Sequence, residues 1–229
     1  MAKYLSVNYS DGKIFEYSKD KKDGFVSHYN NKGELKGFRK YQDNIVGKYI
    51  SVAESKNPYL NNQSELTLTL KENGDFVNIK FSTEKQSGDY SDFAESLIKH
   101  LPNLVKGTTY TIMFYSFIPD GKTRKSTGVS FKTTDGEKVS KLTQTAIYKD
   151  GTKVEGDIPA VEWKNVKGKP KASTEAQQAY LYDVLMKYVS LIPQQGSTSN
   201  AVIPTTIAKE IAESTPVTTY DDDDDDLPF

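Results

Sequence analysis

Two alternating segments joined by an Asn-Gly turn restrict this chain to a fold built on antiparallel β-sheet. In SELTLTLK (64–71) three leucines alternate with threonine and lysine, and in DFVNIKFS (75–82) apolar residues again occupy every second position. A period of two is typical of strands with one buried face, and Asn73-Gly74 is a strong hairpin signal. We therefore predict a hairpin with an apolar face inward and a polar face outward.

The neighbouring segments extend the hairpin into an ordered series of strands and one helix. A strand is predicted before it at 44–54, with a bulge or bend at Gly47. SDFAESLIKHL (91–101) has apolar residues at helical spacing, with Ser91 or Asp92 as its N-cap. Further strands are predicted at 108–118, 128–134 and 138–148. Strand, strand, strand, helix, strand, strand is the layout of an OB-fold, a five-stranded Greek-key β-barrel with a helix between its third and fourth strands.

The rest of the chain is predicted to add to this mainly β domain. The first forty residues contain short strand-like pieces that indicate a meander or an N-terminal extension. After a short strand at 160–166, a second helix is predicted at 174–192, where Thr174 and Gln177 fit a capping box. This helix either packs on the barrel or pairs with another copy, and we favour packing. Residues 1–192 are thus one elaborated OB-type domain, and 193–220, rich in Gln, Ser, Thr and Pro, a flexible linker.

The chain ends in DDDDDDLPF, six aspartates followed by three residues without charged side chains. Like charges in a block repel one another, and such a block is usually disordered and often serves as an interaction tail. We expect a peptide that docks on another protein, with a basic rim for the carboxylates and a pocket for the phenyl ring. The predicted partner-binding residues are Asp221, Asp222, Asp223, Asp224, Asp225, Asp226, Leu227, Pro228 and Phe229.

This ending resembles the acidic tip of bacterial and phage single-stranded DNA-binding proteins, in which a run of Asp closes with a hydrophobic residue, Pro and Phe. Asp224–Asp226, Leu227, Pro228 and Phe229 match, with Leu227 where Ile is the commoner residue. Residues 101–131 also resemble the phage members of compact OB type, in a strand, an Asp-Gly-Lys turn and a following strand.

The resemblance implies a protein that coats single-stranded DNA in replication, recombination or repair. Its tip would recruit polymerase, helicase-primase or recombination proteins. It also implies a phage-encoded protein in the cytoplasm of a host bacterium, as a monomer or dimer.

Composition excludes several other classes. The chain contains no Cys, so disulfides, thiol catalysis and Cys-ligated zinc are excluded, and a reducing cytoplasm fits. The N-terminus lacks the apolar core of a signal peptide, and no apolar run is long enough to span a membrane. Residues 1–220 carry 30 basic against 25 acidic residues, because six of the 31 acidic residues lie in the tail. A basic body fits a polyanionic ligand.

No catalytic or metal-binding pattern is present in the sequence. His28 and His100 are far apart and lack the spacing of a metalloprotease motif. The Gly-Lys-Thr at 121–123 does not complete a phosphate-binding loop, because position 116 is Ser. We therefore predict a binding protein rather than an enzyme, with no cofactor and no metal.

The candidate DNA-binding residues are the cations and aromatic side chains that an OB-fold would bring to its ligand face. That face comprises the second and third strands and the loops next to them, and single-strand binding needs cationic and stacking groups there. Tyr49 is predicted to point outward on the first strand, and Trp163 is either a base platform or a core residue. The predicted residues are Arg39, Tyr41, Tyr49, Tyr59, Lys71, Phe76, Lys80, Lys122, Arg124, Lys125 and Trp163.

Two other classes of function fit the same sequence. One is an RNA-binding or RNA-chaperone OB protein with an acidic tail. The other is a structural adaptor that docks through the tail and binds no nucleic acid.

Overall fold

A computed structural model of the protein describes residues 2–57, 62–85, 87–148, 152–166 and 168–189. All of them belong to the first of the chain's two units, Met1–Ile192. The second unit, Pro193–Phe229, contains the predicted linker and acidic tip and lies outside the described residues, as does Tyr59.

The structure is mainly β, as the sequence predicts, and is dominated by one nine-stranded mixed sheet. The chain order of its strands is β1 (Lys3–Val7), β2 (Ile14–Ser18), β3 (Val26–Tyr29), β4 (Leu35–Gln42), β5 (Ile45–Asn57), β6 (Gln63–Glu72), β7 (Asp75–Ser82), β8 (Thr109–Phe117) and β9 (Ser126–Thr133). Their order across the sheet is β3-β4-β2-β1-β7-β6-β5-β8-β9. Two small ribbons follow: β10 (Ala146–Ile147) with β11 (Lys153–Val154), and β12 (Glu162–Val166) with β13 (Lys169–Ser173).

The predicted hairpin is present as β6 and β7. Asn73 and Gly74 join the two strands with φ values of 49° and 94°, as a tight two-residue hairpin turn requires. The alternation sorts the side chains as expected, because Leu68 and Ile79 are fully buried on the inner face whereas Phe76 is 47% exposed on the outer face. Strands β8, β5, β6 and β7 lie side by side in the spatial order 4-1-2-3 of a Greek key.

Both predicted helices form, and both cover the inner face of the sheet. Helix α1 spans Asp92–His100, and the Ser91 hydroxyl caps it by accepting a hydrogen bond from the Ala94 N–H at 3.2 Å. Helix α2 spans Glu175–Tyr188. Leu181, Val184 and Leu185 of α2 are buried in the same core as the sheet, which confirms that this helix packs on its own domain.

The predicted capping box of α2 is absent. Thr174 makes no capping hydrogen bond, and its hydroxyl lies 3.5 Å from a carboxylate oxygen of Asp89 instead. The Gln177 amide donates to the Pro159 carbonyl at 2.9 Å. Both side chains therefore bind tertiary partners, and these contacts replace the local pattern.

A strand is also absent over most of 138–148, where only Ala146 and Ile147 are in β10. Residues at the start of this segment still follow β9, since the Val139 N–H donates to the Phe131 carbonyl at 2.9 Å. The chain then crosses to α1, where the Leu142 N–H donates to the Lys99 carbonyl at 2.8 Å. The Lys99 carbonyl is in the last turn of α1, where it has no partner within the helix. It therefore accepts the Leu142 N–H, which a continued strand would have paired with a neighbouring strand.

The hydrogen-bonded strands do not close into the expected five-stranded barrel. Closure of β5–β9 would require β9 to pair with the free edge of β7. That edge is occupied by β1, which runs parallel to β7 with Lys3 opposite Val77 and Ser6 opposite Lys80. The sheet therefore continues outward through β1, β2, β4 and β3.

The turn between β1 and β2 nevertheless contacts the far side of the sheet. The Tyr9 ring packs edge-on against Phe93 of α1, with 5.2 Å between ring centroids. The Lys125 ammonium donates to the Ser10 carbonyl at 2.7 Å. Gly12 lies so close to β8 that a Cβ at this position would be 2.5 Å from the Tyr115 Cα. Side-chain and van der Waals contacts thus connect the turn between β1 and β2 to α1 and β8, although no strand pairing connects them.

Near the middle of β9, a side chain of α1 covers the edge of the strand. The Ser96 hydroxyl donates to the Val129 carbonyl at 3.1 Å and accepts from the Val129 N–H at 2.9 Å. Gly128 permits this approach, because a Cβ there would lie 2.7 Å from the Ser96 Oγ.

Substitution of Gly12 tests the contact between the turn and β8. Gly12→Ala places a methyl group against the Tyr115 backbone, and Gly12 also has a φ of 79°. Gly33→Ala is the matched control, because Gly33 has a φ of 76° and a Cβ there would meet no atom within 4 Å. Both variants incur the left-handed strain of about 1–2 kcal/mol. We expect Gly12→Ala to lose roughly 1–3 kcal/mol more free energy of unfolding in urea, as overpacking does. Equal losses would show that the turn does not need this contact.

Candidate nucleic-acid interface

The outer face of the sheet carries one continuous row of side chains across five strands. The strand registers place Thr67 of β6 opposite Lys80 of β7, and Lys80 opposite Ser6 of β1. Ser6 is in turn opposite Phe15 of β2, and Phe15 is opposite Tyr41 of β4. At about 4.8 Å between strands, this row extends roughly 19 Å. We call the outer surface of β6, β7, β1, β2 and β4 the outer face.

Three cations of the outer face each lie over an aromatic ring. The distances from the charged group to the ring centroid are 5.9 Å for Lys71 over Phe76, 5.5 Å for Lys80 over Tyr4 and 4.1 Å for Arg39 over Phe15. Such pairs hold a positive charge beside a flat apolar surface. Phe76 and Tyr4 are 47% and 59% exposed, so their pairs offer a charge for a phosphate and a ring for a base, whereas Phe15 is 8% exposed beneath Arg39 and its pair offers the charge alone.

The charges of these three cations are not neutralised by acidic side chains. None of them lies within 4.0 Å of a carboxylate oxygen of a described residue. The Nε of Arg39 is also buried without a hydrogen-bond partner among the described residues. Its charge is felt nearby, since burial and then the positive charge of Arg39 lower the pKa of His28. The charges of these three cations are therefore available to an anionic ligand.

Five of the predicted DNA-binding residues meet on this face: Arg39, Tyr41, Lys71, Phe76 and Lys80. The order of strands in the sequence does not predict that Arg39 and Tyr41 lie on this face. They precede β5 in the chain, but β4 pairs with β2 and β3, and β5 is on the other side of β6. Arg39 and Tyr41 are linked by a long contact of 3.5 Å between Nη1 and the phenol oxygen.

The prediction that Tyr49 points outward is wrong. Tyr49 is 6% exposed and packs in the core, and its burial raises the pKa of its phenol. The cause is a β-bulge between Tyr49 and Ser51, which reverses the alternation along β5. Tyr49 and Val52 are therefore both on the inner face, opposite Leu70 and Leu68. The bulge is located here, and not at the predicted position Gly47.

The predicted loop cations are in a different setting from the outer face. Lys122, Arg124 and Lys125 follow β8, and Lys125 binds the carbonyl of Ser10. Arg124 and Lys125 line a cavity of about 510 Å³ beside α1. That cavity also contains carboxylates, among them Asp92, which pairs with Lys85 at 2.7 Å. A second carboxylate of the cavity, Glu95, pairs with Lys99, so among the described residues neither of these two carboxylates neutralises the loop cations.

Trp163 is on the surface, so the interpretation of Trp163 as a core residue is wrong. It is 70% exposed on β12 and lines a groove of about 660 Å³ with Ile147, Tyr148 and Val161. The neighbouring Lys164 pairs with Glu175 of α2 at 2.6 Å. These contacts connect the ribbon to the helical side of the domain, and no described contact connects it to the outer face.

Two aromatic residues of the outer face, Tyr4 and Phe15, are missing from the sequence-based prediction. A signal for Tyr4 does exist, because YLSVNY alternates and sets Tyr4 and Ser6 opposite to Leu5 and Val7. The position of β1 beside β7 had no comparable signal. The two strands are more than seventy residues apart and pair in parallel.

Other chemistry has little support in the described residues. His100 is 5% exposed, and its Nδ1 lies 3.2 Å from the Ser140 carbonyl. Burial lowers the pKa of its imidazole, which favours a neutral structural role. Across the described ranges, no three His, Asp or Glu residues are grouped to hold a metal ion. Neither described helix is long and apolar enough to cross a membrane.

Comparison of the chain with models of known families, with curated proteins and with solved structures finds no match. The geometry of the outer face and the sequence pattern of the tail are therefore the observations on which a function is argued.

Phe76 separates a role in binding from a role in folding. Because its ring is half exposed, Phe76→Ala should barely change the free energy of unfolding. It should weaken oligo-dT binding by about 1–3 kcal/mol if a base stacks on the ring. Leu68→Ala, on the inner face of the same hairpin, should instead cost roughly 2–5 kcal/mol of stability. Titration with oligo-dT and urea unfolding of both variants measure the two effects. A Phe76→Ala variant that binds as the parent does would remove this ring from the site.

Proposed function

We propose that this chain is a non-enzymatic single-stranded DNA-binding protein that acts in DNA replication, recombination or repair. The observation that carries the proposal is the outer face, where three cations without a carboxylate partner among the described residues each lie over an aromatic ring. Exposed rings such as Phe76 and Tyr4 stack on bases irrespective of sequence, while the three cations attract the phosphates. A face that combines both groups suits a single strand better than a duplex, whose bases are already stacked on one another.

We further propose that β5–β9 and α1 form an OB-type domain with an extended sheet. The Greek-key order of β8, β5, β6 and β7, and the position of α1 between β7 and β8, support this assignment. The outer surface of β6 and β7 then corresponds to the second and third strands, which bind oligonucleotides in OB-folds.

The acidic tail supplies the second half of the proposed function. Its aspartates and terminal Leu-Pro-Phe resemble the tip through which single-stranded DNA-binding proteins recruit polymerase, helicase-primase or recombination proteins. We propose the same use here, in a phage-encoded protein of the bacterial cytoplasm that is a monomer or dimer and uses no cofactor.

A gel shift with oligo-dT tests the proposal directly, and its salt dependence tests the face. For single strands, the logarithm of affinity falls by about 0.7 per phosphate neutralised for each unit of log salt. Arg39, Lys71 and Lys80 together predict a slope near −2, and participation of the three loop cations would increase it to about −4. A slope near zero would show that these charges do not meet the ligand.

Competitors in the same assay distinguish the alternative functions. Oligo-U of equal length should displace oligo-dT poorly if DNA is the ligand, and better than oligo-dT if the protein serves RNA. Absence of any shift at low salt would favour an adaptor that binds no nucleic acid.

Phe229→Ala separates partner binding from DNA binding. The substitution removes no charge, so oligo-dT affinity should stay nearly unchanged. Capture of purified replication proteins should fall by roughly 2 kcal/mol or more, as for the loss of a buried aromatic anchor. The control is Thr219→Ala, at a position two residues before Asp221, which leaves the tip intact. If Phe229→Ala captures every partner as well as the parent does, the tip is not a docking peptide.

A further inference from the structure

We propose that the N-terminal strands form part of the DNA-binding site, with Tyr4 of β1 as a base-stacking residue. A single bound strand would then cross the outer face from β6 to β4, at right angles to the β-strands. This inference rests on the proposed function and extends its site beyond the five strands of an OB-fold.

The position of Tyr4 is the first observation. Tyr4 is opposite Asn78 of β7, and its ring lies 5.5 Å from the ammonium of Lys80. The ring is 59% exposed and thus contributes little to the core. Its hydroxyl makes no hydrogen bond to a described residue. Folding alone therefore gives no reason for an aromatic side chain here, whereas a base has an open ring face to stack on.

The order of rings and cations across the sheet is the second observation. Lys71 is on β6, Phe76 and Lys80 are on β7, and Tyr4 is on β1, while the next pair continues on β2 and β4. A strand of DNA that crosses the sheet would meet an exposed ring or a cation on β6, β7, β1 and β4, while Phe15 of β2 is 8% exposed and supports Arg39 from below. The distance from β6 to β4, about 19 Å at the usual strand spacing, accommodates several nucleotides of an extended strand.

The direction in which the DNA would cross follows from the strands that lack a cation–ring pair. Within the described part of the sheet, no cation lies over a ring on β5, β8 or β9. The cations that follow β8 share their cavity with carboxylates of α1. Among the described residues, the path from β6 toward β4 therefore offers cations held over rings, and the path toward β9 does not.

The test compares three exposed-tyrosine variants of the full chain in oligo-dT titrations. Tyr4→Ala should weaken binding about 5- to 150-fold, the range expected for loss of one stacked base. Tyr4→Phe should bind as the parent does, because it retains the ring. Tyr29→Ala is the matched control, since Tyr29 is 56% exposed on β3 but has no described cation over its ring. Thermal melting of each variant checks that the fold is intact.

The outcomes separate this inference from the proposed function. If the parent chain fails to bind oligo-dT, the proposed function fails first. If the parent binds and Phe76→Ala weakens binding, but Tyr4→Ala binds like Tyr29→Ala, only the inference is overturned. If Tyr4→Ala melts early, Tyr4→Leu provides an apolar side chain without an aromatic face. Its binding should fall if stacking matters, and binding equal to that of the parent overturns the inference.

Discussion

The parallel pairing of β1 with β7 is the constraint on which most of this architecture depends. It fills the edge that a closed five-stranded barrel would need for its last strand. Once β1 is in place, β2 and β4 follow by antiparallel pairing, and the sheet widens instead of closing. The same pairing sets Ser6 between Lys80 and Phe15, and so creates the continuous outer face. Fold and candidate site thus have one common origin.

The outer face shows how a small number of contacts can prepare a surface for an anionic ligand. Each cation is held near a ring, and none is neutralised by a carboxylate of the described residues. Unbalanced like charges on one surface repel one another and cost stability. Arg39 adds a buried Nε that no described residue satisfies. Sequences keep such unfavourable features mainly where a binding site needs them, which is the physical basis of the proposed function.

Local signals made much of the fold predictable, whereas long-range pairing made the rest inaccessible. The Asn-Gly turn and the alternation around it specify the hairpin, and the apolar spacing of 91–101 specifies α1. The prediction for Tyr49 is wrong because a one-residue bulge reverses the faces of a strand, and nothing in the sequence marks Ile50 as the extra residue. The parallel partner of β1 is distant in sequence, and no short turn between the two strands indicates that they pair. Lys71, Phe76 and Lys80 could therefore be assigned to a site, but Tyr4 and Phe15 could not.

The Ser96 hydroxyl, which binds both backbone groups of Val129, limits strand pairing between copies of the protein. An open edge strand is a template on which another chain can add a strand and begin to aggregate. Here a chain approaching the middle of β9 would first have to displace Ser96 from its two hydrogen bonds. Under the proposed function, copies of the protein would coat a single strand at very high local concentration. The two hydrogen bonds of Ser96 would then oppose strand addition at this edge without placing a charge there.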